Sequence, residues 1–573
     1  SHPVPTAFLT HTHTHTHTHT HPLLAAPSKA YPVPFDSADP VGSLRRALDN
    51  TQMCRKLGLD AKDPLTPALM DEVHAFGRLV EREASIAATL LAFEHKFLLD
   101  RSKINKTDPV HCATYGYPGR GKSCFIDAVA ALGQRNTGSL RHFPGCDGQS
   151  ARFLETVSGW IPLCATFNGN TTHDSSETFG PQVSLSIRLL LSYLCKHSRG
   201  LSFPSIVGWV KKSPDIEELT IEKVVRSIVQ DAKEHMPGKK NFGVFVAIDE
   251  LVRADATSKC HDNAQAIISA IGDLCWKPDL EVYALTTTLD SVLVRRTTTT
   301  SGRPTRWIPL FTASGDATHN MFPDCLGESD KKIPQLLNLV GTIAFKSMLA
   351  DCGGHWRMIE ALVVAARELS SRDPILWTRA ELWELIKQKA LFPSGKYTIG
   401  LLRAALLGEQ VGLNDQVPGM SGMKYKTLIK DGLLCNACTD SVTSEQTSER
   451  IVPKLPPLRL RHWAEKNLSD SDHQKKALAT VLYKMTQSED VWDWAKMEMF
   501  HACWEAMVAI LRPGETLTLG ELYKGAMFSD SSLKRIQVKL PDTFDVPVVR
   551  NLFELPQHFS LSSLKFLLSL SAL

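Results

Sequence analysis

Eight consecutive residues could cradle a phosphate group. Residues 116–123 read Gly-Tyr-Pro-Gly-Arg-Gly-Lys-Ser and match the pattern G-x-x-x-x-G-K-[ST] at every constrained position. Glycines permit a tight turn whose backbone N–H groups face phosphate oxygens, and a helix beginning there adds its positive dipole end. Lys122 would reach the β- and γ-phosphates, and the Ser123 hydroxyl would ligate Mg²⁺. The predicted nucleotide-binding residues are Gly116, Pro118, Gly119, Arg120, Gly121, Lys122, Ser123 and Cys124.

A pair of acids, Asp249 and Glu250, directly follows the apolar run 244–248. An apolar run of this kind is typical of a central parallel strand that is buried on both faces. At the end of such a strand, Asp249 would hold Mg²⁺ through water and Glu250 would polarise the attacking water. The alternative is a solvated pair that caps the following helix.

Alternating strand and helix patterns predict a scaffold that positions these groups. Four apolar runs predict buried strands: 110–115, 160–168, 244–250 and 280–288. Helical periodicity predicts the intervening helices: 124–132, 183–197, 221–233 and 263–276. The predicted fold class is α/β, a three-layer domain with a parallel central sheet. Thr286 or Thr287 could contact the γ-phosphate side, or both could simply be β-branched residues that end a strand.

Composition limits the classes of function. A length of 573 residues indicates more than one domain, and a net charge of +3 argues against non-specific coating of nucleic acid, although a local basic face stays open. The 13 cysteines are scattered, mostly in apolar runs, which is typical of reduced thiols in an intracellular protein. No apolar run reaches membrane-spanning length, so no membrane partner is expected.

Other segments carry weaker signals. Residues 11–21 alternate His and Thr, which could hold metal but is better explained as a translated dinucleotide repeat. Cys435 and Cys438 form a single C-x-x-C without a second pair, which leaves zinc as the minor alternative. The predicted organisation is a disordered leader, a helical N-terminal segment, a nucleotide-binding core, a helical lid, a winged-helix-like unit and a helical C-terminal region: residues 1–40, 41–105, 106–330, 331–412, 413–470 and 471–573.

The order and spacing of three motifs resemble the AAA+/STAND-like P-loop ATPase domain of the Crinkler and retrotransposon-hot-spot (RHS) families. The third motif, Gly353-Gly354-His355-Trp356-Arg357, is similar to the Gly-Gly-His-Pro-Arg signature of those families, with Trp356 where Pro is usual. The resemblance implies an ATP-binding domain in which Arg357 senses the nucleotide from a helical lid. It covers residues 100–370 with good motifs, and the nuclease domain that often accompanies this ATPase is not recognisable in the sequence.

Two functions are consistent with these patterns. In the first, the chain is an ATP- and Mg²⁺-dependent molecular switch in which Lys122, Glu250 and Arg357 are catalytic and Ser123 and Asp249 bind the metal. In the second, it is a catalytically silent nucleotide-binding or protein-interaction scaffold, derived from a mobile element.

The expected partners are a nucleoside triphosphate and an unidentified protein, with homo-oligomers left open. The location is expected to be intracellular, and the N-terminus shows no secretion signature of an effector. A DNA-directed role for the winged-helix-like unit rests on fold analogy alone.

Overall fold

A computed structural model provides the fold of the chain. It describes residues 31–61, 82–99, 111–116, 121–143, 146, 148–168, 171–172, 177–195, 201–235, 242–251, 254, 262–288, 305–308, 310, 326, 330–390, 397–430, 433–437, 450–487, 494–523 and 532–540.

A parallel sheet organises the first half of the chain. Its five strands are β1 (His111–Tyr115), β2 (Ile161–Thr166), β3 (Gly243–Asp249), β4 (Glu281–Thr288) and β5 (Thr305–Trp307). They lie in the spatial order β2-β3-β4-β1-β5, and every neighbouring pair is parallel. β2 and β3 are buried along their whole length, which explains their nearly continuous apolar sequences. The predicted parallel sheet is confirmed.

Helices cover both faces of this sheet. They are α1 (Pro40–Leu48), α2 (Thr51–Leu57), α3 (Glu83–Leu98), α4 (Lys122–Ala131), α5 (Thr137–Arg141), α6 (Ala151–Val157), α7 (Pro181–Leu194), α8 (Phe203–Val210), α9 (Ile221–His235) and α10 (Asp262–Cys275). Val244, Val246 and Ile248 of β3 pack with α1, α2 and α7–α10, whereas Phe245 and Ala247 pack with α3–α6. Strand residues alternate between faces, so Asp249, two positions after Ala247, lies on the same face as Ala247 and α4.

The N-terminal helices α1 and α2 are part of this core. Val41 and Leu44 of α1 share one apolar cluster with β3. Arg45 donates two hydrogen bonds to the Asp231 carboxylate of α9, at 2.7 and 2.6 Å. Tyr193 of α7 donates a third to the same carboxylate, at 2.8 Å. This shared acid therefore joins α1, α7 and α9.

Four further helices form a separate apolar cluster, which we call the lid. They are α11 (Pro334–Gly341), α12 (Ile343–Asp351), α13 (Trp356–Ser370) and α14 (Arg379–Lys389). Short 3₁₀ turns lie at Leu132–Gln134, Ile216–Glu218, Asp330–Lys332, Pro374–Leu376 and Leu533–Arg535.

The remaining elements form a C-terminal unit, residues 397–540. They are α15 (Ile399–Leu406), β6 (Val411–Gly412), α16 (Tyr425–Lys430), β7 (Cys435–Ala437), β8 (Arg450–Lys454), α17 (Pro457–Asn467), α18 (His473–Gln487), α19 (Trp494–Leu511), β9 (Thr516–Thr518), α20 (Leu519–Leu522) and β10 (Gln537–Lys539). Strands β6, β8 and β7 pair antiparallel in that order, and the winged-helix-like unit stays a prediction. The largely helical end of the chain also contains the antiparallel ribbon β9–β10, which sequence periodicity did not indicate.

Helix α17 joins the lid to the C-terminal unit. Leu458 is buried in the lid cluster, whereas Leu460 and Trp463 of the same helix are buried in the C-terminal cluster. In the part of the chain that the structure describes, no helix combines the length and apolarity needed to cross a bilayer.

Candidate phosphate-binding and hydrolysis site

The sequence places glycine where the backbone must turn sharply into α4. Gly121 has φ +78° and precedes the first residue of the helix, Lys122. This left-handed conformation is accessible to glycine without steric cost. The N-terminus of α4 therefore opens at the carboxyl end of β1, where Gly116 N–H donates to the Thr288 carbonyl of β4, at 3.3 Å. Three predicted binding residues, Pro118, Gly119 and Arg120, lie outside the described residues.

The Lys122 side chain is directed back toward the carboxyl end of β1. It is only 4% exposed, and its Nζ donates to the Gly116 carbonyl at 2.9 Å. Nζ also lies 3.5 Å from Oε1 of Glu250. Burial lowers the pKa of Lys122, and the nearby Glu250 and Asp249 carboxylates partly oppose that shift. A cation in this position can meet an anionic ligand without competition from bulk water.

Asp249 receives two hydroxyl hydrogen bonds. Ser123 Oγ donates to Oδ2 at 2.7 Å, and Thr287 Oγ1 of β4 donates to Oδ1 at 2.5 Å. The fold thus joins Ser123 and Asp249, which are 126 positions apart in the chain. A hydroxyl and a carboxylate are hard oxygen donors, and this donor set fits Mg²⁺ with waters and phosphate oxygens completing its coordination.

Glu250 has a strained backbone. Its φ of +55° is the only positive value at a non-glycine residue in the described ranges. Its N–H donates to Thr287 Oγ1 at 3.2 Å, and its carboxylate is buried beside Lys122. Such a conformation persists when surrounding contacts impose it, and it is enriched at functional sites. The turn directs Glu250 toward the loop end of the sheet instead of continuing β3.

Register distinguishes the two candidate threonines. Thr166 of β2 pairs with Asp249, and Thr114 of β1 pairs with Thr287, so four polar residues cross the α4 face in one row. Thr286 points to the other face, where its Oγ1 lies 3.0 Å from Nε2 of His111. Burial lowers the pKa of His111 to about 4, so this histidine is neutral and structural. Thr287 is the hydroxyl at the site.

Arg357 approaches from the lid. Gly353 and Gly354 have φ of +56° and +69°, and they form the turn that precedes α13. Arg357 lies in the first turn of that helix and is exposed. Its positive charge makes the smallest of the contributions to the lowered pKa of Lys122. A role of Arg357 toward the nucleotide stays a prediction.

Two cysteine signals show no special chemistry. Burial raises the pKa of Cys124 to about 12, with smaller contributions from Asp127 and Glu360, so its thiol stays protonated and unreactive. Cys438 of the C-x-x-C segment lies outside the described residues, and the described ranges contain no cluster of three or more metal-ligating side chains.

The site completes the assignment of the fold. A phosphate loop that connects a parallel strand to a helix, with an acid at the end of another central strand, sits on a three-layer sheet. The fold is that of a P-loop NTPase. Sequence reasoning did not identify the bridging role of Thr287 or the turn at Glu250, since both depend on strand register.

Comparisons with known proteins give only distant similarities. No protein-family model matches the chain, and no curated protein matches it. Among solved structures it is similar to ORC2 of Aeropyrum pernix in its ADP form, at 12% identity and a TM-score of 0.36 over 75% of this chain and 100% of that one. It is also similar to A. pernix ORC1 in complex with DNA, at 12% identity and a TM-score of 0.30 over 86% and 97%.

A third similar structure is C. elegans PCH-2, at 14% identity and a TM-score of 0.27 over 54% of this chain and 67% of that one. At such low scores the fold class rests on the sheet and loop of this chain itself.

Proposed function

We propose that this chain is an ATP-binding, ATP-hydrolysing molecular switch of the AAA+/STAND type, related to the Crinkler/RHS ATPases. One observation carries the proposal: Ser123 and Asp249 meet at 2.7 Å, with Lys122 and Glu250 beside them at the end of a parallel sheet. A hydroxyl, a carboxylate, a buried lysine and a second acid together are the groups that triphosphate hydrolysis requires.

Each residue has a proposed role in hydrolysis. Lys122 would exchange its contacts with Gly116 and Glu250 for β- and γ-phosphate oxygens. Ser123 and Asp249 would hold Mg²⁺, which supplies charge neutralisation at the phosphates when it is bound. Glu250 would orient a water and accept its proton as the new P–O bond forms and the bond to the ADP oxygen breaks. The oxygen of the broken bond leaves as part of ADP, and the oxygen of the attacking water leaves as part of inorganic phosphate.

Arg357 would make the site a switch. A guanidinium on the first turn of a lid helix can contact the γ-phosphate only while that phosphate is present. ATP would therefore favour a lid position that ADP does not, and this difference in contacts is what allows a ligand to shift a conformational equilibrium.

Binding to the full chain tests the proposal. Lys122→Ala should weaken the affinity for Mg-ATP at least tenfold, because a charge-assisted contact with phosphate is lost. Glu250→Gln should still bind Mg-ATP but should no longer hydrolyse it, so no phosphate is released. The matched control is Lys466→Ala, at an exposed lysine of the last turn of α17. Equal Mg-ATP affinity in wild type and Lys122→Ala would contradict the assignment.

A catalytically silent scaffold is the second candidate. The Lys122–Glu250 ion pair favours it. The two charges are 3.5 Å apart and nearly buried, so each neutralises the other instead of acting on a ligand. In that case wild type and Glu250→Gln would both bind Mg-ATP and neither would release phosphate. Single-turnover measurement with excess enzyme separates the two functions.

A reducing, intracellular location is also a proposal. It is supported by the buried cysteines Cys112, Cys352 and Cys503, which form no disulfide in the described part of the chain. The net charge of +3 does not favour nucleic acid as a partner. A protein partner and homo-oligomers remain the expected partners of the switch.

A further inference from the structure

Two buried basic residues outside the hydrolysis site meet at the base of the lid. His355 precedes α13 and is 1% exposed, and Arg459 of α17 is 7% exposed. Arg459 Nη2 lies 3.5 Å from Nε2 of His355. Arginine can only donate, so Nε2 must accept and His355 must be the neutral tautomer with its proton on Nδ1. Neither residue has a role in the proposed hydrolysis.

The surroundings keep this histidine neutral. Burial lowers the pKa of His355 to about 3, and the charges of Arg459 and Arg357 add to that shift. A protonated ring would face two guanidinium groups. The contact is therefore a stable donor–acceptor pair throughout the physiological pH range.

The backbone around the contact is tightly packed. A Cβ added to Gly353 would lie 3.4 Å from both Pro456 Cα and Pro457 Cδ, so the start of α17 rests against the Gly-Gly turn. Leu458 anchors that start in the lid cluster. On the lid side, the His355 carbonyl accepts the N–H of Met358 and Ile359, at 2.9 and 3.1 Å, and thereby fixes the first turn of α13. That turn carries Arg357.

We propose that Arg459 is a positioning residue for Arg357, acting through His355 and the Gly353-Gly354 turn. Through this contact the C-terminal unit sets the direction of the arginine that distinguishes ATP from ADP, and the unit in turn responds to which nucleotide is bound. The inference rests on the proposed function of the same site. It extends that function by assigning the positioning of Arg357 to a residue of the C-terminal unit.

The test compares affinities of the full chain for ATPγS and ADP with MgCl₂. Arg357→Ala should lower the preference for ATPγS roughly tenfold, because a hydrogen bond to a charged group is lost. Arg459→Met keeps the aliphatic stem but removes the donor, and it should lower the same preference about threefold while ADP affinity is retained. Arg459→Lys, with one donor group in place of the fork, should lie between Met and wild type. Lys466→Met on the same helix should match wild type.

A double variant separates positioning from general destabilisation. If Arg459 acts through Arg357, adding Arg459→Met to Arg357→Ala should not change the affinity ratio further. Additive losses, or a wild-type ratio in folded Arg459→Met and Arg459→Lys, would overturn the inference. Folding is checked by circular dichroism and thermal melting. If Arg459→Met does not fold, the affinity ratio of Arg459→Lys decides the test. Failure of wild type to bind either nucleotide would instead overturn the proposed function.

Discussion

At the scale of single residues, Thr287 connects the two acids of the site. Its hydroxyl donates to Asp249 and accepts from the backbone N–H of Glu250. One oxygen thereby orients the Asp249 carboxylate and fixes the strained turn beside it. Removal of this hydroxyl should disturb both acids at once.

We expect Thr287→Val to lower turnover about tenfold and to raise the Mg²⁺ concentration required for it, because Asp249 loses an orienting hydrogen bond to a charged group. Thr287→Ser should restore both values. The measurement is phosphate release over a Mg²⁺ titration at saturating ATP. Thr286→Val is the matched control, since it breaks the buried contact with His111 on the opposite face. An equal change of Mg²⁺ dependence in both valine variants would exclude a specific role for Thr287.

The backbone at Glu250 gives a second prediction. A left-handed conformation costs a non-glycine residue roughly 1–2 kcal/mol. Glu250→Gly and Glu250→Ala both remove the carboxylate, so neither should release phosphate. The glycine variant should nevertheless be more stable than the alanine variant, by about 1 kcal/mol in urea unfolding. Equal stability would show that the turn stores no strain.

These residue details mark what sequence can and cannot predict. Lys122 and Ser123 were predicted from the spacing of the G-x-x-x-x-G-K-[ST] pattern. Asp249 and Glu250 were predicted from the apolar run that precedes them. Thr286 and Thr287 were not distinguishable, since both are hydroxyl residues near the end of one strand. Only the register of β4 against β1 and β3 decides which of them faces α4.

At the scale of elements, the sequence predicted the sheet and its connecting helices closely. The runs 110–115, 160–168, 244–250 and 280–288 coincide with β1 to β4 within two residues at each end. Buried parallel strands are readable because both faces require apolar side chains. The packing of α1 and α2 on the sheet was not predicted, because periodicity identifies an apolar face but not its partner.

The junction of α1, α7 and α9 should make stability depend on pH. Burial alone would raise the pKa of Asp231, but hydrogen bonds from Arg45 and Tyr193 outweigh it, and the pKa is lowered. A carboxyl with a depressed folded pKa stabilises above its unfolded pKa of about 4, and that stability is lost as pH falls through the folded value. Wild type should therefore hold its stability down to about pH 4.

Arg45→Met tests this sign. Without the guanidinium, burial acts to raise the pKa of Asp231. A carboxyl whose folded pKa is raised destabilises the fold when it is ionised and ceases to do so when it is protonated. Arg45→Met should therefore be less stable than wild type near pH 7, and the difference should shrink as the pH falls toward 3. The measurement is urea unfolding between pH 3 and 7. Arg46→Met is the neighbouring control, because Arg46 pairs with Asp39 at an exposed position. Parallel pH profiles for wild type and Arg45→Met would contradict the prediction.

At the scale of the whole molecule, one helix joins two apolar cores. Leu458 of α17 belongs to the lid core, while Leu460 and Trp463 belong to the C-terminal core. A rigid helix shared in this way transmits displacement of one core to the other. If the lid moves with the bound nucleotide, as the proposed function requires, α17 should carry that movement to the C-terminal unit.

Leu458→Ala should weaken this connection. Removal of a fully buried leucine costs about 2–5 kcal/mol. Because the residue anchors α17 in the lid, the lid and the C-terminal unit should then unfold in separate steps instead of together. Leu478→Ala, at a fully buried leucine within the C-terminal core, is the matched control and should destabilise without separating the steps. Calorimetry combined with hydrogen exchange of α13 and α18 distinguishes the two patterns. A single cooperative transition in Leu458→Ala would show that other contacts hold the lid and the C-terminal unit together.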